Sequence, residues 1–234
     1  TRGFGRIIFL SDFTISSTDD VSFIDLYADG TNITLTFATG SITTGVEIYE
    51  ASIEGEITAP SKFDGCHILN LQVKGVGVPG EMSILKCLFQ GTVTLDPLIE
   101  GQLNSLDCFS GIPGSSTPTF DFNGADVDVL ARNYHGGMLV RNFTSAGKEI
   151  SVDISSGHII IDPTCTNGTF IIRGVGKLTN NSGGMIIDSE YLMNPNSVSD
   201  SVWDETASDH ETANTMGRRL KQLLAKANAI LGNQ

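Results

Sequence analysis

Four histidines, four cysteines and a few closely spaced carboxylates are the residues of this chain with the most chemistry to offer. His67, His135, His158 and His210 show neither His-Glu-x-x-His nor His-x-His spacing, so they supply no recognisable metal-ligand set. His210 has one special possibility: near a threefold axis it would meet two copies of itself and offer three imidazoles to an ion. No Gly-x-Ser-x-Gly elbow is present, and the Ser–His pairings open to a nucleophilic mechanism are those that chance supplies. Gly75-Val76-Gly77-Val78-Pro79-Gly80 matches a phosphate-binding loop letter by letter. Such a loop needs a helix N-terminus directly after it, and Pro79 with the β pattern that follows denies one. Asp126 and Asp128 point to one face of a strand, as do Glu54 and Glu56. Paired carboxylates are what glycoside hydrolysis requires, but a solvated polar strand face is the plainer reading of both pairs. No catalytic residue, cofactor or metal ligand is assigned, and the chain is read as not an enzyme.

Cys66, Cys87 and Cys108 are spaced 21 residues apart, and none of the four cysteines, Cys165 included, stands in a Cys-x-x-Cys pair. Zinc ribbons and thioredoxin-like chemistry are therefore unsupported. The regular spacing predicts buried thiols stacked on one another, Cys87 over Cys108, instead of disulfides.

The elements that must position these residues are β from Phe4 to about Tyr191. Alternation is plain in Asn32–Phe37, Val46–Tyr49, Gly91–Leu95, Thr119–Phe122, Ile150–Ile154 and Gly168–Ile172. Asp29-Gly30, Asp64-Gly65, Asn123-Gly124 and Asn167-Gly168 punctuate the runs as tight turns. A loose phrase recurs at Ala51-Ile53-Gly55, Leu71-Val73-Gly75, Leu85-Cys87-Gly91 and Leu106-Cys108-Gly111. Repeats of this length match one coil of a β-solenoid, in which similar inward residues form ladders. A β-sandwich with evenly spaced strands is the alternative.

The pattern changes after Met193, which divides the chain into a β-rich body, 1–193, and a tail, 194–234. Asn194-Pro195-Asn196-Ser197 reads as a linker, and Ser201 caps a short helical turn. Thr212 then N-caps a helix in which Met216, Leu220, Leu223, Ala227 and Ile230 are spaced 4, 3, 4, 3. Leu224 and Leu231 widen this seam beyond what a dimer needs. A helix of about twenty residues is marginal alone in water, so it is expected to pack against copies of itself and against the body. The fold class expected is mainly β, a solenoid-like or stacked-sheet body with a C-terminal helix forming a trimeric coiled-coil-like bundle. Trp203, the sole tryptophan, is expected at the subunit interface.

A net charge of −13, with only 18% charged residues, disfavours nucleic acid and anionic membranes, which call for clustered Lys and Arg. No apolar run approaches the ~20 residues of a membrane span, so no insertion is expected. The start at Thr1 suggests a piece of a longer protein with an N-terminal remainder.

Two stretches resemble a known class. Ser201-Val202-Trp203-Asp204-Glu205 followed by Asp209–Gly217 resembles a Val-Trp-Asp-Glu … His-x-Thr-Ala-Gly-Thr-x-Gly segment of phage tail-fibre proteins, with Asn214 where that segment has Gly. Asp107–Gly114, Asp121–Gly124, Ala131–Gly137 and Gly174–Leu178 resemble the β-structured region ahead of such tails. The resemblance implies a homotrimeric fibre component of a virion tail or extracellular appendage, attaching to a bacterial cell-surface glycan or protein. For the contacts, Tyr134 and His135 offer an aromatic tip on a turn, with Phe109 beside the neighbouring Gly-Ile-Pro-Gly loop, and core packing is the plainer role for each of the three. A polysaccharide-cleaving tailspike and an inert shaft or connector are the competing readings.

Overall fold

The computed structural model describes residues 5–75, 80–110 and 118–193. They form a β-solenoid of about eight turns, and every strand pairing among them is parallel. Parallel pairing of successive coils sets the sandwich alternative aside, since that architecture is antiparallel.

Two columns of strands carry the wall. The first stacks Gly5–Phe9, Ile24–Ala28, Glu47–Tyr49, Lys62–Asp64, Gly80–Leu85, Glu100–Leu106, Asp126–His135, Glu149–Ser156, Thr169–Val175 and Ile186–Asp188. The second stacks Phe13–Ile15, Thr34–Phe37, Ser52–Thr58, His67–Lys74, Thr92–Leu95, Thr119–Asp121, Met138–Arg141, His158–Ile161 and Lys177–Asn180. Between them a short third face holds Leu88–Phe89 and Phe109–Ser110, flanked by His67 and His135.

Alternation along each strand sends every second residue inward, and parallel register stacks those residues into ladders. One ladder runs Leu26, Ile48, Phe63, Ile84, Ser105, Ala131, Val152 and Ile172, all buried. Where it narrows at Ser105 and Ala131, Phe120, Phe122 and Met138 reach in from the opposite wall and line the same interior space. Burying aliphatic and aromatic side chains at roughly 1.5–3 kcal/mol each is what holds the stack together.

The cysteine spacing is explained by the corner between the first and third faces. Glu50, Gly65, Lys86, Asp107 and Asn133 all take positive φ there. Adjacent corners are tied by backbone bonds, Gly65 N–H to the Leu85 carbonyl at 3.0 Å and Lys86 N–H to Leu106 at 2.9 Å. The residue after each corner turns inward, giving a column of Ala51, Cys66, Cys87, Cys108 and Tyr134. All four cysteines are free and buried. Cys66, Cys87 and Cys108 donate to the carbonyls of Ile48, Leu85 and Ile84 at 3.4, 3.2 and 3.3 Å. The repeat read from the sequence is thus in phase between Cys87 and Cys108 but out of phase at Ala51, which stacks with the cysteines, and at Leu71. That residue pairs with Gly55 and Val93 in the second column.

At the other end of each coil, Asp96, Asp121, Asp162 and Asn180 accept from the backbone N–H two residues on, at 2.8–3.1 Å. These Asx turns bend the chain back toward the first column. The linker, the capped helix, Trp203 and the seam Met216, Leu220, Leu223, Leu224, Ala227 and Ile230 lie outside the described residues. No helix occurs among the described ones.

Candidate functional site

Of the predicted contact residues, the structure joins two and separates the third. His67, Leu88, Phe109 and His135 form the outward column of the third face. Phe109 is 44% exposed, and its ring stacks on His135 with centroids 5.2 Å apart and planes 17° apart. Ser156 Oγ lies 3.4 Å from His135 Nδ1 on the next coil. Tyr134 takes the core-packing role and not the tip, facing the interior at 1% exposure. Its hydroxyl donates to the Gly137 carbonyl at 3.0 Å, and burial raises its pKa. The left-handed turn at Asn133 is the cause, because it rotates the next side chain inward where Cys108 sits one coil earlier.

The carboxylate pairs are spoken for. Lys148 Nζ lies 3.4 Å from Asp128 and 4.0 Å from Asp126 across one coil step. Glu54 accepts from the Thr36 hydroxyl at 3.0 Å, and Glu56 pairs with Lys74 at 3.4 Å. Each pair therefore ties coils together along the outer wall. His158, partly buried and close to Lys177, is held below the usual imidazole pKa and sits 2.8 Å from Thr179 Oγ1.

A second surface feature was not foreseen. On the first face an open cleft of about 350 Å3 is lined by Phe23, Asp25, Gly45, Glu47, Pro60, Lys62 and Glu81 among others. Its origin is a gap in the ladder. Phe23 donates its backbone N–H to Thr44 and Gly45 donates to Pro60, so glycine and proline fill the register positions between the Phe23 ring and Glu81. With no bulk between them, the wall is hollow. The Phe23 ring lies over Gly45, where an added Cβ would come within 2.6 Å of it. Phe23 itself holds φ +59, costly for a bulky L-residue, while its side chain stays 52% exposed.

The cleft floor is the outward column Asp25, Glu47, Lys62 and Ser83. Lys62 donates to Glu47 at 3.0 Å and to the Tyr49 hydroxyl at 3.2 Å, and that hydroxyl donates in turn to Glu47. The hydrogen bond to Glu47 raises the Lys62 pKa to about 12. Burial, with the bond to Glu47, raises Tyr49 to about 12 as well. Ammonium and phenol thereby keep their ordinary charge states at neutral pH. Beside the floor, the Tyr27 and Tyr49 rings stack at 4.3 Å, with Arg6 3.7 Å over one and Lys62 5.2 Å over the other. Their faces are covered, so this ladder braces the wall. Glu81 accepts from Asn104, and Asp25 has no hydrogen-bond or ion-pair partner among the described residues. The sequence signal was Gly45 and Pro60, legible as a hollow only once the coils are aligned.

No group of three or more metal-ligating side chains occurs among the described residues. No protein-family model, curated protein or solved structure gives a match to this chain.

Proposed function

We propose that this chain is a structural, receptor-binding module of a trimeric tail-fibre-like appendage that attaches to a bacterial cell surface. The observation that supports it is the exposed Phe109–His135 stack on the side wall of a rigid solenoid. Aromatic surface held on a regular scaffold is suited to sugars and to protein anchors. Threefold repetition through the C-terminal seam would turn a weak single contact into useful avidity. The inter-coil pairing of the Asp126/Asp128 and Glu54/Glu56 carboxylates favours binding over glycan cleavage.

The test is binding of the labelled protein to whole bacterial cells, with the Phe109→Ala/His135→Ala double variant as the comparison. Loss of binding with unchanged circular dichroism supports the reading. Retained binding by the double variant removes the third face from it. Release of reducing sugar from capsule or lipopolysaccharide would replace attachment by the depolymerase reading, and failure to bind any cell would favour the shaft.

A further inference from the structure

We propose that Asn167-Gly168 is a self-modification site, where the Asn167 side-chain amide is lost to give aspartate and isoaspartate ahead of the Asn123-Gly124 turn. Asparagine is among the residues that heat and time degrade, and both asparagines are exposed. The reaction needs only the turn and water. The Gly168 backbone nitrogen gives up its proton to water and attacks the Asn167 Cγ. A nitrogen–carbon bond forms, the Cγ–Nδ2 bond breaks, and ammonia leaves behind a succinimide ring. Water then opens the ring at either carbonyl, giving aspartate or a backbone rerouted through the side chain. Glycine favours the attack because it brings no Cβ to crowd the nitrogen.

The two pairs offer the same residue types to this chemistry, and the fold treats them differently. At Asn123-Gly124 the attacking N–H is occupied, since Gly124 donates to the Asn142 carbonyl at 3.1 Å. The Asn123 N–H donates to Asp121 Oδ1 at 3.1 Å, and the two residues hold φ of +47 and +81. Attack there requires the turn to open first. At Asn167-Gly168 the pins lie on either side of the pair. Thr166 donates to Phe143 and Thr169 to Lys148, both at 3.0 Å, while the N–H groups of Asn167 and Gly168 have no hydrogen-bond partner among the described residues. The Asn167 side chain is tied only through Nδ2, which donates to the Thr144 carbonyl at 3.0 Å. Conversion removes that link between coils, because a carboxylate has no proton to offer a carbonyl. Isoaspartate also lengthens the backbone ahead of Gly168, which has no slack to take it up. An added Cβ on Gly168 would come within 2.4 Å of the Phe143 ring, and the Gly168 carbonyl holds the Ile186 N–H at 3.0 Å. Conversion therefore loosens Ile186–Asp188, the last strand of the first column.

The full chain is incubated in mildly alkaline buffer, and peptide mapping by mass spectrometry follows amide loss at each pair. Asn167 is expected to convert about fivefold faster than Asn123, the factor that one intact backbone hydrogen bond imposes. In concentrated guanidinium chloride, where both turns are unfolded, the two rates should come together. Aged wild-type protein should melt at a lower temperature than fresh protein. Aged Asn167→Gln, whose longer side chain closes the ring poorly, should keep its melting temperature. Equal or faster loss at Asn123 in the folded protein, or no loss at Asn167, overturns the proposal. A rate difference that persists in denaturant also overturns it, because the local sequence and not the fold would then be the cause. An equal drop in melting temperature in aged Asn167→Gln overturns the loosening of the last strand. The rate comparison is made on the wild type, so it stands whether or not the variant folds.

Discussion

Thiols stacked in an apolar interior tie this chain's stability to alkali. Burial pushes Cys108 and Cys165 upward, while within the hydrogen-bonded Cys66–Cys87 pair the bond lowers Cys66 and, with burial, raises Cys87. A raised pKa means that the folded state keeps a proton the unfolded state loses. The stabilisation is therefore complete below the unfolded thiol value of about 8.5 and is lost as pH rises above it. Urea midpoints should fall between pH about 7 and about 10, and fall less in Cys108→Ala than in the wild type. An equal fall in both would detach the effect from the thiols. Alkylation of the native protein should leave all four cysteines unmodified, and alkylation after denaturation without reductant should label all four. At the same scale, Tyr134→Ala should cost about 3–5 kcal/mol, as deletion of a buried ring does, whereas Phe109→Ala should stay within about 1 kcal/mol. The cysteine column was readable because its spacing is regular. The inward turn of Tyr134 was not, because it depends on the backbone conformation of Asn133, which side-chain types alone do not announce.

At the level of the element, close backbone approach decides what a coil tolerates. Gly157 sits where an added Cβ would meet the Gly136 carbonyl oxygen at 1.9 Å, and its φ is +119. Gly136 donates to Ser156, and His158 and Lys177 donate to Gly136 and Gly157, so the contact cannot open without unzipping the ladder on both sides. Gly157→Ala is expected to lose about 1–3 kcal/mol from backbone strain alone. Thermal melting should show it, at roughly 2–4 °C per kcal/mol for a chain of this size. A melting temperature within a degree of wild type would mean that the coil corner moves freely. Strand identity was legible from alternation, and the Asn-Gly and Asp-Gly turns were legible from type, since Gly30, Gly65, Gly124 and Gly168 all take positive φ. Register was not. Whether Leu71 or Cys66 answers to Cys87 depends on corner geometry, and both are small or apolar residues that fit an inward ladder.

Across the whole molecule, a solenoid is nearly one-dimensional, so each coil is as stable as its neighbours make it. Ile8, Leu10 and Phe13 at one end and Ile186, Tyr191 and Met193 at the other are exposed, while the middle ladder is closed. On the proposed reading, the number of copies is set by the seam Met216, Leu220, Leu223, Ala227 and Ile230, widened by Leu224. Met216, Leu223 and Ile230 share one heptad position, the d set, and Leu220 and Ala227 share the other. Ile at d is better accommodated in trimers and higher assemblies than in parallel dimers. In the proposed trimer, Leu223→Asp would bring three carboxylates together in an apolar seam, a burial relieved only by protonation. Sedimentation equilibrium at neutral pH is expected to give a trimer for the wild type and monomers or aggregates for the variant. The β signature in circular dichroism should persist in the variant, because the solenoid's ladders are completed within one chain. A monomeric wild type, or a variant that stays trimeric, would show that assembly is encoded elsewhere in the chain.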